Sequence, residues 1–187
     1  MKWFKFLFVF LVMMMFAPSC SQTQYDKLAW GFRSLEWSAQ LAEGFDGALK
    51  VFLAKEHDRC LVHGAKTPEF VKCIDPALAI SRAWTGEVNG KDSGKGVLPA
   101  LQSGQRVARL SLNAAYDYLK SKDGKCDVKT DPTCAKAMGD WKVLFMPVAC
   151  AAIELVDRAF KLGVYTSVLM DPAYQAVKAF TDNSCAK

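Results

Sequence analysis

The chain has 187 residues, with 24 lysines and arginines against 19 aspartates and glutamates, two histidines, seven cysteines and 51% hydrophobic residues. Its net charge of +5 is spread along the chain with no Lys/Arg block and no basic-aromatic ladder, which argues against a nucleic acid partner. Low-complexity tracts and repeats at solenoid spacing are absent too, leaving a globular chain long enough to bury a core.

Residues 1–19 open with Lys2 and Lys5, run apolar from Phe6 to Ala17 and end in small residues, the pattern of a secretory signal. As a helix that apolar run rises about 18 Å, against a hydrocarbon core of roughly 30 Å, so the segment is expected to be removed rather than to span a membrane. Its loss leaves 22 basic against 19 acidic groups, a balance of +3. Cleavage after Ser19 and cleavage after Ser21 both satisfy the small-residue rule.

The stretch Ala17-Pro18-Ser19-Cys20 resembles a bacterial lipobox, with Ala17 where leucine is usual and Pro18 where a small non-proline residue is expected. The resemblance implies that Cys20 becomes the first mature residue and carries a lipid. Residues 20–187 would then form a single domain anchored to a membrane, facing the periplasm or the surface. Cleavage after Ser21 gives a secreted soluble protein instead. Either outcome leaves six cysteines, Cys60, Cys73, Cys126, Cys134, Cys150 and Cys185, an even set that can pair completely in an oxidising compartment, whereas cleavage after Ser19 without acylation leaves seven.

From Thr23 to about Asp58, Leu28, Phe32, Leu35, Ala39, Ala42, Phe45, Leu49 and Phe52 recur at steps of three and four, which predicts a long helix. Trp30, Trp37, Leu41 and Ala48 widen its apolar arc enough for two neighbours, and the two tryptophans are read as core. Thr67-Pro68, Asp131-Pro132 and Asp171-Pro172 each place a capping side chain before a proline at the first helical position. Asp75-Pro76 repeats the device, predicting a short turn and then a helix to about Thr85. The run from Gly86 to Gly96 has no apolar period and is expected to be a flexible loop.

A helix over Leu98 to Ser121 turns Leu101, Ala108, Leu112, Ala115 and Leu119 inward, with Pro99 in its first turn. The next carries Met138, Trp141, Phe145, Val148, Ala152, Leu155, Ala159 and Leu162 in alternating steps of three and four. Apolar residues opposite that seam predict that Val143 to Ile153 meets little water, and Pro147 should kink the helix. Glu154 with Arg158 and Asp157 with Lys161 are spaced as ion pairs, and Gly163 is a stop. Val164 to Met170 has no clear period and could form a short strand, before a last helix from Pro172 to about Phe180.

Six cysteines allow fifteen pairings. Cys60 with Cys73 and Cys126 with Cys134 close short loops at helix ends, which are near one another in a bundle, leaving Cys150 for Cys185. The sharpest chemical constellation is HDRCLVH, residues 57–63: His57, Cys60 and His63, with Cys73 beyond, could meet a tetrahedral zinc. Export favours a disulfide there instead. The loop GKDSGKG misses the P-loop spacing, Ser93 lacks the glycine of a nucleophile elbow, and with two histidines near residue 60 no catalytic dyad is marked out.

The expected fold is therefore an all-α, mainly antiparallel bundle of four long helices and a short fifth, stapled by disulfides, with no cofactor and no enzyme activity indicated. Its expected role is an interaction module of the cell envelope, binding another protein or an incoming macromolecule. The alternatives are a carrier of an apolar small molecule in the bundle interior and a metal-binding module through His57, Cys60, His63 and Cys73. The intact mass of the mature protein tests the processing: a chain beginning at Cys20, heavier by its acyl groups and lighter by the hydrogens of three disulfides, is expected.

Overall fold

A computed structural model describes residues 23–88, 91–164, 172–181 and 185, so Cys20, Asp171 and most of Val164 to Met170 lie outside the described residues. The protein is an all-α bundle of four long helices and a short fifth, joined by three disulfides. Helix α1 spans Gln24–Cys60, α2 Pro68–Thr85, α3 Val97–Ser121, α4 Pro132–Lys161 and α5 Pro172–Thr181. A 3-10 turn, Leu61–His63, follows α1, and strands β1 (Glu87–Val88) and β2 (Lys91–Asp92) pair antiparallel between α2 and α3. Among the described residues no helix is long and apolar enough to cross a membrane.

Local chemistry sets the helix ends. Thr23 accepts the Asp26 N–H at 3.3 Å while the Asp26 carboxylate takes the Thr23 N–H at 3.0 Å, a reciprocal cap that satisfies two orphan donors. Thr67 takes the Phe70 N–H at 3.1 Å, and Asp131 takes those of Thr133 and Cys134 at 2.9 and 3.1 Å. The Tyr118 hydroxyl also donates to Asp131 at 2.8 Å; that bond first, and then the backbone donor at Cys134, hold the carboxyl below the usual carboxylate range. Helix α4 stops at Gly163, whose φ of +81° lets the Val164 N–H reach the Ala159 carbonyl at 3.1 Å. Asp123, at φ +50°, makes the matching turn after α3.

Leu35, Phe45 and Leu49 of α1, Leu101, Leu112 and Leu119 of α3, and Trp141, Phe145 and Val156 of α4 form one core cluster. Small residues decide how closely those helices approach. Gly31, Ser34 and Ser38 are buried on α1. A Cβ on Gly31 would lie 2.7 Å from Leu112 and 3.1 Å from Trp141, so the absence of a side chain permits this three-helix contact. Gly104 serves the same purpose between α3 and α4, where a Cβ would meet Val148 at 2.6 Å. Phe180 then docks α5 by stacking on Trp141, with ring centroids 5.7 Å apart, and by tilting against Trp30 at 5.5 Å. Trp30 and Trp37 meet edge to face and are only half-buried, at the margin of the core.

Several expectations change in the folded chain. Asp75-Pro76 starts no helix: α2 runs through Pro76, because proline and Lys72, whose carbonyl it frees, are exposed on the outer face and water can serve that carbonyl. Asp75 accepts from Arg82 at 2.7 Å instead of capping. The described residues between Gly86 and Gly96 pair as a ribbon whose neck brings the two glycine backbones together, with the Ser93 N–H donating to the Gly86 carbonyl at 3.0 Å. In α4 the strict heptad spacing drifts about 20° per heptad against a straight helix. Ala149 consequently takes the inward place beside a half-buried Val148, and Leu162 ends 45% exposed.

No element covers the outer side of α4 among the described residues, so Val143 is 74% exposed where burial was expected. Pro147 lies on that same wet side, and the helix continues through it. Glu154 pairs with Arg158 as spaced, but Asp157 accepts from the Tyr174 hydroxyl and lies 3.7 Å from Lys178, both on α5, in place of Lys161. Burial first, and then that bond, raise the Tyr174 hydroxyl above its ordinary pKa.

The glycine contacts yield a paired test by chemical denaturation. Gly31→Val is expected to destabilise by about 2–3 kcal/mol through overpacking. Gly47→Ala, whose added Cβ meets nothing within 4 Å, is expected to stabilise by up to ~1 kcal/mol.

Candidate binding clefts

The cysteines join Cys60 to Cys73, Cys126 to Cys134 and Cys150 to Cys185, with Cα atoms 5.8, 5.8 and 5.6 Å apart. The first bond is sealed into the α1–α2 junction, since Cys60 is fully buried. Its formation removes both sulfurs from the set that resembled a zinc site. His57, exposed on the last turn of α1, packs edge-on against Phe70 at 5.6 Å, and His63 is exposed in the 3-10 turn. No group of three or more His, Cys, Asp or Glu side chains that could hold a metal occurs among the described residues.

Among the described residues, two surface clefts bear on binding. The larger, about 460 Å³, lies between α1 and α3. Those helices run antiparallel, as Gly31 faces Leu112 while Ser38 faces Gln105. The Gln105 amide donates to the Ser38 hydroxyl at 2.7 Å, and that buried hydroxyl donates to the Leu35 carbonyl at 2.8 Å, which fastens the cleft edge to the core. Leu35 and Ala39 supply its apolar floor; Glu36, Gln40, Gln102, Arg106 and Arg109 stand exposed around it.

Arg106 and Arg109 differ from the arginines elsewhere that have found carboxylates. Arg59 meets Glu56 at 2.5 Å, Arg82 meets Asp75 at 2.7 Å, and Arg158 pairs with Glu154. No carboxylate of the described residues lies within ion-pair distance of Arg106 or Arg109, although Glu36 borders the same cleft. They are three residues apart and so share one side of α3.

The second cleft, about 400 Å³, is lined by Asp46, Leu49, Lys50, Leu53, Ser81, Thr85, Glu87 and Leu98. Its polar groups are largely committed to one another. Lys50 contacts Asp46 at 2.7 Å, and this hydrogen bond, more than the charge attraction, raises the Lys50 ammonium above its usual pKa. Thr85 donates to the Ser81 carbonyl at 3.0 Å and accepts the Glu87 N–H at 3.1 Å.

Exposed apolar side chains also occur on the outward side of α3 and on α4 beside it. Val107 and Leu110 are 41% and 64% exposed, and Leu144 of α4 is 43% exposed, one turn from the Gly104–Val148 contact. The chain matches no known protein family, no characterised protein and no solved structure.

Sequence periodicity passed over Arg106, Arg109, Ser38 and Gln105. One signal was present: the two arginines are the only charged residues in α3 before Asp117. Treating the native protein with a chelator is expected to leave its thermal midpoint unchanged. Replacing Cys60 and Cys73 together by serine is expected to cost about 3 kcal/mol of stability, measured by denaturant titration.

Proposed function

We propose that this protein is an exported, disulfide-braced binding protein that carries a small molecule in the cleft between α1 and α3. The observation that supports this reading is a cleft of about 460 Å³, within the range of roughly 300–1,000 Å³ usual for small-ligand sites, in which an apolar floor lies beside two guanidinium groups without carboxylate partners. The carrier site is thereby moved from the bundle interior to its flank. Leu112, Phe145 and Ala149 are fully buried and packed at the centre, and a filled centre favours a site at the edge. The protein binds and releases rather than transforms its ligand, and a lipid on Cys20 tethers it to a membrane facing the periplasm or surface.

A second reading, an envelope interaction module, is favoured by the exposed Val107, Leu110 and Leu144 strip, whose lack of charge suits the apolar face of a partner's helix. The first reading is tested by native mass spectrometry of freshly purified protein. A bound small molecule is expected in the wild type and is expected to be absent from Ala39→Trp, which fills the cleft floor, with the circular dichroism unchanged. Retention of the molecule by that variant would place the site elsewhere.

A further inference from the structure

We propose that the cleft between α1 and α3 selects an anionic amphiphile, whose carboxylate or phosphate head is held by Arg106 and Arg109 while a short apolar portion lies on Leu35 and Ala39. This deepens the carrier reading and rests on it.

The charge distribution carries the proposal. Two guanidinium groups within one turn of the same helix repel each other, and neither has the local carboxylate pairing that relieves Arg59, Arg82 and Arg158; Arg33 also lacks such a pair but has no second guanidinium within a turn of it. Arg106 and Arg109 border a concave surface without such a partner. Each guanidinium offers five N–H donors in a planar fork that matches two oxygens of a carboxylate or phosphate. Gln40 and Gln102 add carboxamide donors to the same rim. A donor-rich rim is complementary to a head group that only accepts.

Glu36 sets the polarity within the cleft. It stands on α1, whereas both arginines stand on α3, so the balance around the cleft is one positive charge and the anion is directed to the α3 side. The apolar floor belongs to α1 and is rigid: Leu35 is 3% exposed, and its carbonyl is bonded to Ser38, which in turn holds Gln105. Head and floor are therefore supplied by different helices across one cleft. That division suits a ligand with one charged end and one oily end.

The test is calorimetric titration of the full chain with octanoate, octyl phosphate, octanol and inorganic phosphate, each below micelle-forming concentration. Wild type, Arg106→Gln with Arg109→Gln, and Ala39→Trp are compared. Octanoate and octyl phosphate are expected to bind more tightly than octanol and than inorganic phosphate. The double arginine variant is expected to lose at least about tenfold in affinity for both anions with octanol binding unchanged, and rising salt should weaken only the anions. Preference for one anion over the other identifies the head group.

Equal affinity for octanol and octanoate, or anion affinity indifferent to the arginine replacements, would overturn the anion selectivity; if Ala39→Trp still abolished binding, the carrier reading would survive. Inorganic phosphate binding as tightly as octyl phosphate would overturn the amphiphile. Failure of every probe, with native mass spectra indifferent to Ala39→Trp, would remove the selectivity and the carrier reading together.

Discussion

The structure depends on a missing Cβ. At Gly31 the backbone of α1 comes near enough to its neighbours that a methyl group would collide with Leu112 and crowd Trp141, and here three long helices make their common contact. Ser38, seven residues on, continues the close seam as a buried hydroxyl bonded to its own helix and to Gln105. Packing at near-crystalline density leaves little freedom once such an approach is made. The axes of α1 and α3 are fixed by it, and with them the width of the cleft that opens on the flank of the same seam. Gly104 repeats the device against Val148 and closes α3 onto α4.

Covalent bonds reinforce the places where helix packing alone is thinnest. Cys60–Cys73 ties the far end of α1 to α2, beyond the reach of the central cluster, and Cys126–Cys134 braces the turn that Asp131 and Tyr118 also hold. Cys150–Cys185 secures the tail of the short α5, which otherwise depends on Phe180 in its aromatic cluster and on Tyr174 with Asp157. The last bond encloses 35 residues and restricts the unfolded chain more than the other two, which enclose 13 and 8.

Helix α3 divides its surroundings into three sectors. Leu101, Leu112 and Leu119 face the core, Arg106 and Arg109 border the α1 cleft, and Val107 and Leu110 are exposed on the outward side, Leu110 one turn from Arg106. A helix needing only to be buried and soluble would carry mixed charges on its outer faces. Here cationic and apolar side chains adjoin on the outward face of one helix, with Arg109 toward the α1 cleft, Val107 toward α4, and Leu110 one turn from Arg106.

Bonds formed within a few residues were readable from spacing. Thr67 and Asp131 cap where they precede a helical period, Gly163 stops α4, and the cysteines at neighbouring helix ends pair as expected, leaving Cys150 for Cys185. HDRCLVH was equally conspicuous as a ligand set, and the Cys60–Cys73 bond withdraws both of its sulfurs. Asp157 had a suitable lysine one turn away and turned to Tyr174 and Lys178, because α5 delivered a buried hydroxyl that local order along α4 does not reveal. The cleft was hidden for the same reason: Ser38 and Gln105 are 67 positions apart, and the floor and the arginines acquire a relation only when α1 and α3 cross. Sequence by itself determined where helices begin, end and turn oily, since those energies are local; tertiary structure decided how near they lie and what their surfaces share, since that distance is set by side chains on other helices.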